Sequence, residues 1–162
     1  MVTPDYIVGL VDGEGSFTVH IPTPEQRRKA KRRARAEPRF YIKLAEKDRE
    51  ILEDIKDFFG CGSIYLQKDS RENHADCYRY EVASGSDIVE NIIPFFIEHP
   101  LRLPSKQKDL EIFRKLIALM EEGRHLSEEG LDKMYENETG DALDLVVSGK
   151  TADATGTSIL SS

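Results

Sequence analysis

Hydrophobic and polar residues along the chain follow two periods, which predicts a mixture of helices and strands. Apolar residues recur at helical spacing in four segments, residues 3–13, 48–59, 86–99 and 104–120. They alternate with polar residues in four other segments, residues 16–21, 39–44, 63–67 and 77–83. A further short helix is expected to begin at Ser127. This order predicts an α+β fold with mixed layers, in which four strands form one antiparallel sheet and helices cover one of its faces.

Capping and turn residues support these boundaries. Thr3 precedes Pro4 and Asp5, which is a typical helix start, and Gly60 follows the second helical segment, where glycine often ends a helix. The first two strands and the last two strands are each predicted to form a hairpin. Beyond Asn137 the chain becomes rich in Thr, Ser, Gly, Ala and Asp and loses its period. We therefore expect one domain over residues 1–136 and a weakly ordered tail over residues 137–162.

One face of the predicted sheet carries polar side chains on all four strands. Antiparallel sheets commonly expose one face to water, so an ordinary solvated face is one interpretation of this pattern. The second interpretation is a nucleic-acid surface, because the side chains are donors, acceptors and aromatic groups of the kinds that read base edges in a major groove. The positions are Thr18, His20, Arg39, Lys43, Tyr65, Gln67, Arg79 and Glu81.

The length and apolar content of the chain indicate a soluble protein with one modest core. Of its 162 residues 39% are apolar, and none of its apolar runs approaches the length needed to span a bilayer. The amino terminus lacks the pattern of a secretory signal, so we expect an intracellular protein that is not secreted and makes no contact with a membrane. Cys61 and Cys77 have neither zinc-site spacing nor the density of a disulfide scaffold, and we expect both to be reduced.

Positive charge is concentrated in one short segment of an otherwise acidic chain. The formal net charge is -7, with 23 basic and 30 acidic residues. Such segregation is typical of a protein that binds a polyanion with one surface, although a solvated charged loop without a partner remains the alternative. Seven of the basic residues fall within nine positions, which we call the basic segment: Arg27, Arg28, Lys29, Lys31, Arg32, Arg33 and Arg35.

The first helix breaks two local rules. Gly9 and Gly13 lie on one stripe of the helix, although glycine in a helix costs about 1 kcal/mol relative to alanine. Asp12 and Glu14 crowd the carboxyl end, where the helix dipole favours cations. A divalent cation held by oxygen ligands would compensate these charges. Packing of the helix against its own twin about a two-fold axis would use the glycines and bring two acidic ends together.

The segment that breaks these rules reads IVGLVDGEGSF over residues 7–17. It resembles the LAGLIDADG motif of homing endonucleases, in a variant that ends in Gly-Glu-Gly. The resemblance implies an αββαββα core with a saddle-shaped sheet, and a site-specific double-strand cut in a long, roughly palindromic DNA target. The chain carries one motif, so it resembles the homodimeric members of the family. Members act in a prokaryotic cytoplasm or an organelle, and some of them also bind intron RNA.

The resemblance assigns roles to the residues of the motif. The last acid of the motif binds Mg²⁺ in the family, and this position is Glu14 here. The backbone carbonyl of Gly13 is the matching further ligand. Val8, Gly9, Asp12 and Gly13 would face the paired helix, with Asp12 in a structural role. Mn²⁺ is expected to replace Mg²⁺, whereas Ca²⁺ is expected to bind without supporting cleavage.

Two further positions match the family's catalytic site outside the motif. A basic residue that assists charge stabilisation corresponds to Lys106, with Lys108 as the alternative. A polar residue at the end of the second strand is commonly Gln in the family, and Glu46 takes that place here. Whether Glu46 binds metal or caps the next helix stays open.

Recognition of DNA would combine the polar sheet face with the basic segment. The sheet face would lie in the major groove, and Arg27, Arg28, Arg32 and Arg33 would contact backbone phosphates. Two other functions stay open at this point. One is an RNA maturase or a non-cleaving DNA-binding regulator with the same fold, and the other is an interaction protein in which the basic segment is incidental.

Overall fold

A computed structural model describes residues 1–68, 75–123 and 126–139 of the chain, and for residues 136–139 it describes the backbone alone. The strands are β1 Gly15–His20, β2 Glu37–Ala45, β3 Ser63–Gln67 and β4 Cys77–Val82. The helices are α1 Pro4–Glu14, α2 Pro24–Lys29, α3 Arg49–Phe59, α4 Gly85–Asp87, α5 Ile93–Glu98, α6 Pro104–Glu121 and α7 Glu128–Thr139. A 3-10 turn, Glu46–Asp48, precedes α3, and a π turn, Ile88–Ile92, joins α4 to α5.

The four strands form one sheet in the order β1-β2-β4-β3. Strand β4 is antiparallel to both of its neighbours, with Ile42 and Ile64 opposite Tyr80. Both predicted hairpins therefore lie side by side in the sheet, which confirms the predicted α+β class.

Two features of the helices were not expected from the sequence. Helix α2 lies at the start of the basic segment. It forms because Thr23 and Gln26 make a reciprocal capping box and Pro24 occupies the first turn. The helical segment around residues 86–99 contains the π turn, in which the Ile93 amide donates to the Ile88 carbonyl. Pro94 follows directly, and proline cannot make the regular helical hydrogen bond, so the helix widens where its ladder is interrupted.

Contacts divide the chain into two compact units. The first holds residues 1–17 and 39–111, and the second holds residues 18–38 together with the described part of the chain from residue 112 onward. Helix α7 ends at Thr139. The predicted tail therefore begins inside this helix, and its remainder, residues 140–162, lies outside the described residues.

Aromatic rings form the centre of the first unit. Phe40 is fully buried and contacts Phe17 at 5.2 Å, Phe96 at 5.7 Å and Phe59 at 6.3 Å between ring centroids. These rings come from β1, β2, α3 and α5, so helices α3 and α5 cover the face of the sheet on which Phe40 lies. Buried Tyr80 completes this face from β4 and donates its hydroxyl to the Cys61 carbonyl at 3.1 Å.

Gly62 makes the turn between α3 and β3 possible. Its φ of 85° is in the left-handed region, which side-chain-bearing residues rarely adopt. A Cβ at this position would also lie 2.6 Å from the Tyr80 ring. The turn and the buried tyrosine thus fit together only with glycine.

Among the described residues, none of the helices combines the length and the apolar character that a membrane span requires.

The packing of Phe40 predicts a large effect of its truncation. Phe40→Ala is expected to lower the free energy of unfolding by about 3–5 kcal/mol, because four neighbouring rings lose their common partner. Phe58→Ala is the control, since Phe58 is 42% exposed and its loss should cost about 1 kcal/mol. Urea denaturation of both variants measures the difference, and equal losses would show that the ring cluster is not the core of this unit.

Candidate active site and nucleic-acid interface

Helix α1 carries the motif and ends at its acidic residue. Thr3 caps the helix by accepting from the Tyr6 amide at 3.3 Å, and Pro4 opens it, as the sequence predicts. Glu14 is the last helical residue, and its side chain is exposed. A Cβ at the next residue, Gly15, would lie 2.6 Å from a methyl of Val11, so glycine is required for the chain to turn directly from helix into strand.

Asp12 is the buried charged residue of this unit and is only 9% exposed. Its carboxylate accepts hydrogen bonds from the amide of Arg102 at 3.1 and 3.2 Å and from the amide of Leu103 at 3.2 Å. These amides come directly before α6. The carboxylate therefore holds the carboxyl end of α1 against the beginning of α6, and this contact supports the structural role expected for Asp12.

Lys106 lies in the first turn of α6 and reaches the end of the motif helix. Its ammonium group donates to the backbone carbonyl of Gly15 and is half-buried. Helix α1 has no basic residue in its own last turn. Lys106 therefore supplies, from another element, the positive charge that the carboxyl end of a helix favours.

Lys106 and Lys108 differ in their positions. Both were candidates for the basic residue of the site, and the structure brings Lys106 to the motif. Lys108 is exposed. Both lysines lie close enough to Asp109 to lower its pKa, but burial has the larger effect and raises the pKa of that carboxyl above its ordinary value.

Glu46 lies just past the end of β2 as the first residue of the 3-10 turn. Its side chain is exposed, and its backbone amide donates to the Asp76 carbonyl at 3.3 Å. The amino end of α3 shows no side-chain capping bond. Of the two open roles, helix capping is thus not what the geometry shows, and a role at the metal stays a prediction.

The four residues of α1 that were predicted to face a paired helix differ in exposure. Val8 is 6% exposed and Asp12 is 9% exposed, so both side chains pack within the chain. Contact of Val8 and Asp12 with a paired helix stays a prediction. The exposed stripe holds Tyr6, Gly9 and Gly13, and an added Cβ at either glycine would have no atom within 4 Å. Packing within the described chain does not require either glycine.

The end of α1 offers oxygen ligands suited to a hard cation. The carboxylate of Glu14 and the carbonyl of Gly13 belong to exposed residues. Mg²⁺ typically binds one or two protein carboxylates and completes its shell with water and substrate phosphates. The described residues contain no group of three or more His, Cys, Asp or Glu arranged for a metal. The oxygen atoms of Glu14 and Gly13 are therefore chemically suited to a hard divalent cation such as Mg²⁺.

Four side chains on the open face of the sheet form a connected network. Arg79 donates to a carboxylate oxygen of Glu81 at 2.7 Å, and the same oxygen accepts from the hydroxyl of Tyr65 at 2.8 Å. The guanidinium of Arg79 also lies 3.5 Å from the ring centroid of Tyr41. Burial and the hydrogen bond to Glu81 raise the pKa of the Tyr65 hydroxyl, so it stays protonated as a donor.

This network places three predicted DNA-binding residues together and leaves some of their polar atoms unused. The Nε of Arg79 and the Oε1 of Gln67 are buried without a hydrogen-bond partner. Lys43 lies opposite Arg79 in the neighbouring strand, and Lys43 and Arg39 are half-buried on alternate positions of β2. The first unit thus has a polar surface on which Arg79, Glu81 and Tyr65 are pre-ordered by contacts with one another.

The basic segment belongs to the second unit. Helix α2 carries Arg27, Arg28 and Lys29, and the other cations follow it. Arg28, Arg32 and Arg33 are exposed, as DNA-contacting residues would be. Thr18 and His20 of β1, also in this unit, are half-buried on alternate positions.

Arg27 does not have the predicted exposure. Its side chain is 9% exposed, and its guanidinium binds the carboxylate of Asp132 at 2.5 Å and the carbonyl of Glu128 at 3.3 Å. The charged group is thus already bound to α7, and a contact between Arg27 and DNA stays a prediction.

The sequence profile of the LAGLIDADG endonuclease family matches residues 7–117 of the chain. The chain belongs to this family.

Curated relatives of the LAGLIDADG chain carry names of intron-encoded or homing endonucleases. It is 34% identical over 109 residues to the probable intron-encoded DNA endonuclease 1 of Mycosarcoma maydis. This alignment covers 67% of this chain and 35% of that protein. It is 35% identical over 137 residues to the probable intron-encoded endonuclease 2 of Neurospora crassa, and the alignment covers 84% of this chain and 28% of that protein. It is 30% identical over 115 residues to the homing endonuclease I-ApeII of Aeropyrum pernix, which covers 71% and 62%. The chain thus spans less than two thirds of each of these relatives.

Solved structures of homing endonucleases share the fold. The structure of I-TnaI superposes with a TM-score of 0.70 at 31% identity and covers 98% of this chain and 97% of that one. The meganuclease I-CpaMI bound to uncleaved DNA gives a TM-score of 0.74 at 27% identity and covers 97% and 49%. I-LtrWI bound to target DNA gives 0.71 at 28% identity and covers 88% and 45%. These similarities confirm the fold that the motif implied.

Sequence reasoning missed two residues of these surfaces. Tyr41 was placed on the polar face of β2 but not assigned a role, because its stacking with Arg79 depends on the register between β2 and β4. Asp132 was not singled out, since its partner Arg27 lies 105 positions away. Neither pairing has a local sequence signal.

The contacts of Asp12 predict a stability effect that Glu14 does not share. Asp12→Asn keeps the shape but turns an NH2 group towards buried amide donors, so it is expected to cost about 2–3 kcal/mol of unfolding free energy. Glu14→Gln removes the same charge at an exposed position and should change stability by less than about 0.5 kcal/mol. Urea denaturation at neutral pH compares the two variants, and equal small effects would contradict the anchoring role of Asp12.

Proposed function

We propose that this LAGLIDADG chain is a homing endonuclease that makes a site-specific double-strand cut in a long, roughly palindromic DNA target. The cut requires a divalent metal ion, and the proposed ion is Mg²⁺. The observation that carries the proposal is the exposed Glu14 at the end of the motif helix, beside a lysine that is fixed at the same helix end. The names of the relatives support nuclease activity. The proposed site of action is intracellular, in a prokaryotic cytoplasm or an organelle.

Each group at the end of α1 has a part in the proposed reaction. The carboxylate of Glu14 and the carbonyl of Gly13 hold the metal ion, which when bound orients water and stabilises charge on the phosphate. Mn²⁺ is expected to replace Mg²⁺, and Ca²⁺ to bind without supporting the cut. Lys106 brings a positive charge to the same place and stabilises the negative charge that develops on the phosphate. Asp12 fixes α1 and α6 relative to each other and thereby positions both groups.

We further propose that two copies of the chain act together. A single chain offers one exposed motif acid, whereas a double-strand cut requires chemistry on two strands. Gly9 and Gly13 leave an open stripe on α1 against which a second copy of the helix can pack closely. The chain corresponds to about half of I-CpaMI and I-LtrWI and to nearly the whole of I-TnaI. Both lengths fit a functional unit built from two such domains.

Recognition is proposed to use the open sheet face in the major groove. Arg39, Lys43 and the network around Arg79 and Glu81 supply the donors and acceptors for base edges. Double-stranded DNA is thus the proposed partner. Intron RNA would be a partner if the chain also acted as a maturase.

Glu14→Gln is expected to abolish cleavage and to leave folding and DNA binding intact, because the variant loses a metal ligand on an exposed side chain. The test incubates purified protein in Mg²⁺, Ca²⁺ or EDTA with DNA of the locus that carries the chain's own gene, rebuilt without the mobile element that encodes the chain. A discrete cut should appear in Mg²⁺ alone among the three. Asp5→Asn, which removes a charge at the other end of α1, is the control and should cut normally.

Cleavage by pure Glu14→Gln protein would refute the proposed metal site. Tight sequence-specific binding by wild type without any cut would instead assign the chain to the maturases or regulators.

The two-copy proposal predicts that methyl groups on α1 weaken self-association. The dimer of the Gly9→Ala/Gly13→Ala variant should have a dissociation constant about ten- to a hundredfold higher than wild type, because overpacking an interface costs roughly 1–3 kcal/mol. The stability of each copy should not fall, since both added methyls point into open space and alanine favours helix. Sedimentation velocity measures the association, with Gly85→Ala as the control on another open glycine. A wild-type chain that stays monomeric with and without DNA would exclude the proposed pairing.

A further inference from the structure

Arg27 links helix α2 to helix α7 within the second unit. Its two terminal nitrogens bind the Asp132 carboxylate and the Glu128 carbonyl, which lie one helical turn apart on α7. With 9% of its side chain exposed, this arginine differs from the surface ion pairs Lys29–Glu25 and Lys133–Glu129, whose side chains are all at least half exposed. Its partner Asp132 is 58% exposed, so the pair is shielded on the arginine side, and removing the carboxylate would leave a buried guanidinium without its counter-charge. Asp132 therefore fixes the place where the basic segment leaves α2.

A cationic cavity lies beside this link. Its volume is about 320 Å³, roughly that of ten water molecules. The basic segment forms one wall with Lys31, Arg32 and Arg33, and the beginning of α7 forms the other with Ser127, Glu128 and Leu131.

The charges in and around the cavity favour an anion. Arg27 lines it as well, but Asp132 balances that charge, and Glu128 opposes one of the three remaining cations. Two positive charges are left, and the amino end of α7 adds the partial positive charge of its helix dipole. The Nε of Arg27 is buried without a hydrogen-bond partner in this wall. The cavity thus combines an excess of positive charge with the donors of Lys31, Arg32 and Arg33, and its volume is sufficient for a group the size of a phosphate.

Arginine is suited to phosphate because its planar guanidinium matches two phosphate oxygens at once. Outside the basic segment the chain holds more acidic than basic residues, so a nucleic-acid backbone is attracted here and not to the chain as a whole. A phosphate bound at this cavity would lie against the cations that follow Arg27, the residue that α7 binds.

We propose that this cavity binds one backbone phosphate of duplex DNA and that Asp132, through Arg27, is the residue that positions it. The inference rests on the proposed function, since it assigns part of the DNA contact of the endonuclease. It also gives the chain's last described helix a role in DNA binding, although most of the charged residues in the sequence of α7 are acidic.

Asp132→Asn provides a test in which electrostatics and positioning predict opposite signs. Removing a negative charge beside a DNA-binding segment should by itself tighten binding. If Asp132 positions the cavity, the variant should instead bind several-fold more weakly, and the slope of log affinity against log salt should become shallower by about one unit, the loss of one phosphate contact. Glu129→Gln is the matched control, because it removes the same charge from the same helix at a carboxylate that pairs with Lys133, and it should keep the wild-type slope.

The probe is a 30-base-pair duplex of arbitrary sequence, titrated in Ca²⁺ and followed by fluorescence anisotropy between about 50 and 200 mM salt, where phosphate contacts dominate. Arg32→Ala/Arg33→Ala should weaken binding and flatten the slope in the same way. Adding Asp132→Asn to that variant should then have little further effect, because both changes disable one cavity. Melting of each variant, followed by circular dichroism, verifies that all are folded at the titration temperature.

Four outcomes would overturn the inference. If Asp132→Asn binds DNA as tightly as wild type or more tightly, Asp132 has no positioning role, and the proposed function is left intact. Independent, additive effects of Asp132→Asn and the double arginine variant would show that they do not share a site. Wild-type protein that binds no duplex DNA at all would refute this inference and the proposed function together. Inorganic phosphate that raises the melting temperature of wild type but not of Asp132→Asn, with identical DNA slopes, would reassign the cavity to free phosphate.

Discussion

The buried carboxylate of Asp12 is the interaction on which the candidate active site depends. A negative charge near the carboxyl end of a helix is unfavourable, and burial makes it more so unless hydrogen-bond donors surround it. The amides of Arg102 and Leu103 provide these donors and in return fix the start of α6. Lys106 follows within one turn and binds the Gly15 carbonyl. One carboxylate thus sets the relative positions of the motif acid and the lysine.

Many of the chain's charged side chains are bound within the protein, and this decides which of them remain for a ligand. Arg79 is stacked on Tyr41 and paired with Glu81, whereas Arg27 is held by α7. Each of these arginines looks like a DNA contact when the sequence alone is considered. Arg79 is fixed on the open sheet face as part of a network, while Arg27 is withdrawn from the surface. Pre-ordered side chains lose little conformational freedom on binding, so the internal pairs shape the surface as well as stabilise the fold.

The predictions that succeeded rest on local patterns. The helical and alternating periods identified all four strands and the longer helices, because each period follows from the backbone geometry of its own element. Helix α2 was missed since its high charge conceals the period, although its Thr23, Pro24 and Gln26 carry a capping signal that a search for helix starts would find. The π turn was missed because it depends on how Pro94 is accommodated within a packed helix.

The sequence by itself determined the order of the elements, the polar face of the sheet and the motif that ends in Glu14, since these depend on residues close together in the chain. Tertiary structure alone decided that Val8 is buried, that Lys106 meets the end of α1 and that Arg27 binds Asp132. These contacts join residues that are up to 105 positions apart. Their partners are selected by packing and by the need to neutralise buried charge, and both arise only once the chain is folded.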